Sequence, residues 1–170
     1  TLDALYNCPC IGLWTPFNEG WGQFDSLKVC AYLKNLDSTR LIDLNSGWSD
    51  QCGEIRSIHK YFVKFVMPKK EKRHVSLSEY GGYAMKIDGH TFVDKIFGYA
   101  IYKNQAKLDK ALADLWSKQI IPAKQKGLCA AIYTQLSDVQ YEVNGIVTYD
   151  RQKIKIDTNA LKALNDKLTQ

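Results

Sequence analysis

The sequence predicts an α/β fold with parallel strands, the C-terminal portion of an eight-stranded βα barrel of the TIM type. Three observations carry that expectation. Short apolar runs alternate with stretches whose apolar residues recur at helical spacing. Neither GxGxxG nor GxxxxGK follows the first strand, which argues against a doubly wound open sheet. The chain has 170 residues, whereas a full barrel needs roughly 250. About five βα units, strands four to eight, fit that length, and the first three are expected to lie upstream.

Ile11 to Phe17 is an apolar, aromatic-rich run that follows Pro9 and closes on Asn18-Glu19-Gly20, the pattern of a buried parallel strand. Gln23 to Leu36 spaces Phe24, Leu27, Ala31 and Leu33 as a helix does, and Asp37-Ser38-Thr39 turns the chain into a second strand, Leu41 to Leu44. Ile55 to Phe62 and Val75 to Glu79 read as two more strands across a polar loop. A strong helix from about Gln105 to Lys126 presents the stripe Leu108, Leu112, Leu115 and Trp116, and Leu128 to Thr134 follows as the fifth strand. Val139 to Tyr149 alternates around Asn144-Gly145, the dipeptide a type I′ turn prefers, and predicts an inserted hairpin. Asp157 caps a last helix with Leu161, Leu164 and Leu168 facing inward.

Composition narrows the class further. With 45% apolar and 24% charged residues the chain is one globular domain, residues 1–170, neither disordered nor a disulfide-stapled miniprotein. No run approaches the roughly 18 apolar residues of a membrane span, so no membrane association is expected. The charge is 23 basic against 18 acidic residues, or +5, with the surplus at Lys60, Lys64, Lys69, Lys70, Lys72 and Arg73. These follow no helical spacing and read as a solvated loop, so no nucleic-acid partner is expected. Cys8, Cys10, Cys30, Cys52 and Cys129 lack CxxC spacing, and with His59, His74 and His90 they predict no metal site. Unpaired thiols lean toward the cytoplasm. The chain starts at Thr1 without a basic-then-apolar leader, so any signal peptide is expected upstream.

Polar residues gather where these strands end: Asn18 and Glu19, His59 and Tyr61, Glu79 and Tyr80, Thr134 and Gln135. In a barrel those ends converge on the catalytic face. Two carboxylates across one substrate suggest glycoside cleavage, in which one carboxyl protonates the leaving oxygen while the other attacks the anomeric carbon or positions water. That chemistry needs no cofactor. Exposed strand-end glutamates without function are common, but Gly20, Gly81 and Gly82 allow close approach, and aromatic faces such as Trp21 stack on sugars. Trp21 and Trp48 serve equally well as cover for the core.

Thr15-Pro16-Phe17-Asn18-Glu19-Gly20-Trp21-Gly22 and Ser76-Leu77-Ser78-Glu79-Tyr80-Gly81-Gly82 resemble the two catalytic segments of family 2 glycoside hydrolases, the β-galactosidase, β-glucuronidase and β-mannosidase type. Leu36-Asp37-Ser38-Thr39-Arg40, Ile58-His59-Lys60-Tyr61 and the stretch from Tyr133-Thr134-Gln135 to Asn144-Gly145 extend the resemblance over nearly the whole chain. It implies that Glu19 is the general acid/base, that Glu79 is the nucleophile of a retaining double displacement, and that Asn18 bonds the sugar 2-hydroxyl. Tyr61 resembles the family tyrosine beside the nucleophile, and His59 and Tyr133 are candidate substrate contacts. Tyr133 stands where many members have tryptophan, and Asn7-Cys8-Pro9-Cys10 where relatives often have Asn-His-Pro-Ser. The expected partner is a β-glycoside. Open sheet edges also predict self-association, or cover from the hairpin. The competing expectation is a noncatalytic carbohydrate-binding or scaffold remnant of the same fold.

Overall fold

The computed structural model describes residues 1–20, 22–48 and 52–169. It is a mixed α/β fold with parallel sheets, in which no closed barrel is detected among the described residues. After a short helix α1 (Leu2–Leu5), β1 (Leu13–Trp14) pairs in parallel with β2 (Leu41–Ile42) across helix α2 (Ser26–Leu36). A parallel bridge from Phe17 to Asn45 carries the pairing onward. The central sheet runs β3 (Ile55–Lys60), β4 (His74–Gly81), β7 (Leu128–Thr134), all parallel. A third small sheet, β5 (Tyr83–Ala84) with β6 (Ala100–Ile101), lies in a stretch the sequence patterns did not assign.

The long helix appears where the apolar stripe places it, in three parts: α3 (Gln105–Leu115), a π-helical turn Trp116–Ile120, and α4 (Ile121–Lys124). Asn104 caps it by accepting from the Lys107 N–H at 3.0 Å. Pro122 explains the interruption: it has no N–H to donate and its ring would crowd the carbonyl four residues back, and the wider π turn opens that space. Leu108, Leu112, Leu115 and Trp116 pack on Val75, Leu77, Tyr80 and Leu128 of the sheet. Helix α5 (Thr158–Thr169) begins as expected at Asp157, whose Oδ1 accepts from the N–H groups of Asn159 and Ala160. Its Leu161, Leu164 and Leu168 pack against that core.

Two expectations are corrected. Asn144-Gly145 does not make a type I′ hairpin: neither residue has the positive φ that turn requires, and Val139 to Tyr149 forms only isolated bridges. Asn144 is buried, its Oδ1 accepting from Gln135, while the Gly145 N–H donates to Asp138. Long-range bonds thus override the local turn preference. This segment accordingly adds no strand to β7, whose outer face keeps Ile132 55% exposed. Helix α2 starts at Ser26, so Phe24 lies before it; Phe24 and Leu27 are exposed, and no residue of the helix is fully buried.

Arg40 fastens the N-terminal segment. Its guanidinium pairs with Asp37 at 2.8 Å and donates to the carbonyls of Tyr6, Cys8 and Ile11. The Thr39 hydroxyl, the Trp14 indole and Arg40 hold the Asp37 carboxyl far below its ordinary value. Arg73 likewise holds Glu71 at about 2, and the Thr148 hydroxyl and His90 hold Asp150 at about 2. Depressed carboxylates contribute stability that is complete above their unfolded values and is lost as pH falls through the folded ones. Acid titration followed by circular dichroism should therefore show stability falling between about pH 4 and 2. Asp37→Asn should flatten that slope, and an unchanged slope would contradict this assignment.

Candidate active site

The site is built on the strand ends. Along β3, Ile55, Ser57 and His59 share the buried face, and Tyr61 continues the same parity just past the strand. On β4, Val75, Leu77 and Tyr80 face the helices, and simple alternation from Val75 would send Glu79 the same way. Register irregularities between Ile58 and His59 and between Leu77 and Tyr80 break the alternation. Glu79 pairs with His59 and turns to the face of Ser57 and Ser78. Irregularities of this kind re-aim side chains beside functional sites.

Glu19 arrives from the end of the first strand, and His59 lies between the two carboxylates. His59 Nδ1 is 2.8 Å from Glu19 Oε1 and 3.4 Å from Glu79 Oε2, and Nε2 is 2.8 Å from Ser46 Oγ. With the proton on Nδ1 the ring donates to carboxylate and accepts from the Ser46 hydroxyl. Gly47 makes room for it: φ is +104°, and a Cβ there would stand 2.7 Å from His59 Nδ1. One oxygen of Glu19, one of Glu79 and a ring nitrogen of His59 all lie within 4.8 Å of one another. The same three atoms are the ones able to close on a metal ion. The His59 side chain is 1% exposed, while those of Glu19 and Glu79 are 21% and 28% exposed and open to an incoming molecule.

Tyr61 meets its expected partner, its hydroxyl donating to Glu79 Oε2 and lying 3.1 Å from Thr134 Oγ1. Burial first, and the bond to Glu79 second, push the Tyr61 phenol well above its ordinary value, so it remains a donor. Asn18 is exposed beside Glu19. Trp48 is 61% exposed, and Gly20 is seated against its ring, so it covers no core. Trp21 lies outside the described residues.

Tyr133 is not brought to the site. It sits on the helix side of β7 against Tyr80 and Trp116, and its hydroxyl accepts from the Tyr83 N–H at 3.2 Å. Thr134, one position on, faces Tyr61, as strand alternation requires. Sequence reasoning missed Tyr99, whose ring stacks on Tyr61 with centroids 3.8 Å apart and planes 4° from parallel. Gly82, at φ +64°, leaves the space that the Tyr99 ring fills. No sequence signal marks Tyr99, because it comes from the irregular approach to β6.

Tyr61→Phe should leave the fold intact and free one Glu79 oxygen, lowering the turnover of any reaction that uses this carboxylate by about 10- to 100-fold, the worth of one charge-assisted hydrogen bond. Steady-state rates checked against an unchanged melting curve measure this, and wild-type turnover would contradict it. The sequence matches no protein-family model and no curated protein.

Proposed function

We propose that the chain carries the two catalytic glutamates of a retaining β-glycoside hydrolase of the family 2 type, on strands four to eight of a TIM-type barrel. The observation that supports this best is the separation of the carboxylates. Oxygens of Glu19 and Glu79 lie within 4.8 Å of each other, which is in keeping with the roughly 5 to 5.5 Å spacing of retaining enzymes.

The roles follow from which oxygens are engaged. Tyr61 and His59 both address Glu79 Oε2, which leaves Oε1 to attack the anomeric carbon. His59 addresses Glu19 Oε1, which leaves Oε2 to carry the proton given to the glycosidic oxygen. The C–O bond to the leaving group breaks as the bond to Glu79 forms, and the leaving group departs protonated. Glu19, now ionised, takes a proton from water, whose oxygen attacks the anomeric carbon on the face the leaving group vacated and displaces Glu79. Two inversions restore the β configuration. Asn18 is placed to meet the sugar beside Glu19, and exposed Trp48 offers a ring face for stacking.

The test is a panel of aryl β-glycosides, galacto, gluco, manno and glucurono, assayed with the full-length protein. Turnover of at least one, lost in Glu19→Gln, is expected. Sugar binding with no turnover of any would favour the noncatalytic remnant instead. Because two carboxylates supply all of this chemistry, chelation with EDTA should leave the rate unchanged. A rate lost to EDTA and restored by Mg²⁺ would contradict this metal independence.

A further inference from the structure

Tyr99 comes from the irregular approach to β6 and lies against the side chain that addresses Glu79. We propose, resting on the glycosidase reading above, that Tyr99 is a positioning residue for the reaction: its ring is the wall that aims the Tyr61 hydroxyl at Glu79.

What fixes Tyr61 is the first argument. It stands just past β3, whose pairing with β4 ends at Lys60 and Tyr80, so no sheet register sets its direction. Its hydroxyl meets Glu79 and Thr134, and its ring lies flat on Tyr99, with centroids 3.8 Å apart and planes 4° from parallel. The hydroxyl is the atom of that side chain farthest from the backbone, so a small swing of the ring carries it off Glu79 first. A flat wall against the ring face blocks the swing. Displacements of roughly 1 Å can cost a reaction about 100-fold.

Tyr99 is itself held in place, which is the second argument, because an orienting group is only as precise as the shell that locks it. Phe62 and Phe97 meet its ring edge-on, with centroids at 5.2 and 5.3 Å. Its N–H donates to the Gly82 carbonyl at 3.1 Å, and the next two residues, Ala100 and Ile101, pair with Tyr83 and Ala84 of β5. Gly82 also makes the seat: a Cβ there would collide with the Tyr99 ring. The stretch of chain that leaves β4 just after Glu79 therefore carries the seat of the ring that orients the partner of Glu79. Aromatic rings beside a sugar site can instead stack on substrate. Tyr99 has one face taken by Tyr61 and two phenylalanines packed around it, which fits a wall and not an open platform.

The test is a double-mutant cycle on the full-length protein, read on the first-turnover release of dinitrophenolate from the 2,4-dinitrophenyl β-glycoside of whichever sugar is turned over. That leaving group needs no protonation, so the rate follows attack by Glu79. Tyr99→Ala should slow the step about tenfold beside an intact Tyr61, and by less than about twofold in Tyr61→Phe, where no hydroxyl is left to aim. Tyr99→Phe keeps the ring and should restore most of the rate. Tyr99→Leu, which keeps bulk without a flat face, should match Tyr99→Ala and carries the comparison where Tyr99→Ala fails to fold, as melting curves show. Equal slowing in both backgrounds, slowing in neither, or a Tyr99→Phe as slow as Tyr99→Ala would overturn the positioning role and leave the glycosidase reading standing. Release from no glycoside by the folded wild type would overturn both.

Discussion

Glu79→Gly is expected to reduce turnover on the order of 10⁴- to 10⁶-fold, because on the proposed mechanism it removes the nucleophile and the covalent pathway and leaves only binding and acid assistance. The two glutamates should then separate by chemistry. Glu19→Gln loses general acid/base help, worth about 10²- to 10⁴-fold, and loses least on substrates whose leaving group departs unaided. Azide extends the distinction: in the space left by the Glu79 carboxylate it should attack from the nucleophile's side and give the α-glycosyl azide. At Glu19→Gln it should intercept the covalent intermediate and give the β-azide. Rates and product anomers, read together, check the assignment. A Glu79→Gly protein that still turns over its β-glycoside at the wild-type rate would refute it.

The second large effect is structural. Lys155 is fully buried, and its Nζ bonds Asp138 Oδ1 at 2.7 Å, the Val143 carbonyl at 2.9 Å and the Met85 carbonyl at 3.1 Å, so all three ammonium donors are used. Asp138 in turn accepts from the Gly145 N–H. One ion pair therefore joins the chain after β5, the irregular segment after β7 and the approach to α5. Burial pushes the Asp138 carboxyl up and the Lys155 ammonium down, so desolvation outweighs the attraction between them. Breaking such a pair strands a buried charge, and Lys155→Ala should cost about 3–5 kcal/mol. For a chain of this size that corresponds to a melting temperature lower by roughly 6–20 °C. Replacing both partners, as in Asp138→Leu with Lys155→Met, should recover much of the loss, because neither charge is then buried. Calorimetry on the three variants measures this. A Lys155→Ala melt within about 2 °C of wild type would show the pair to be energetically idle.

The parts of this molecule that were legible in the sequence are those where a local pattern and the tertiary structure agree. Leu108, Leu112, Leu115 and Trp116 repeat at helical spacing and are buried as a stripe, and Asp157 precedes a helix that it caps. That Glu19 and Glu79 lie near each other was legible from their places at strand ends, and they meet across His59 as convergent parallel strand ends do. Where several long-range contacts compete with one local preference, the pattern failed. Asn144-Gly145 favours a tight turn, yet Gln135, Glu142 and Asp138 bind these two residues in another conformation. Tyr133 stands where the resemblance implies a substrate contact, yet Thr134 takes the facing place and Tyr133 joins the core. The face of Glu79 depends on register irregularities that a period of two cannot encode. Helical spacing from Phe24 to Leu33 locates α2, yet the helix starts only at Ser26 and none of its residues is fully buried, since amphipathic spacing fixes a helix and not what covers it.

Trapping the covalent intermediate tests the central claim most directly. 2,4-Dinitrophenyl 2-deoxy-2-fluoro-β-glycosides of the four sugars above combine a leaving group that needs no protonation with a fluorine that slows hydrolysis of the intermediate, so a retaining enzyme accumulates as its glycosyl ester. Peptide mass spectrometry of the full-length protein should find one fluoroglycosyl group, formed with release of one equivalent of dinitrophenolate, on the peptide carrying Glu79. A Glu79→Gln protein should show none. A label on any other residue, or turnover of the parent glycosides with product of inverted configuration and no label, would contradict the account.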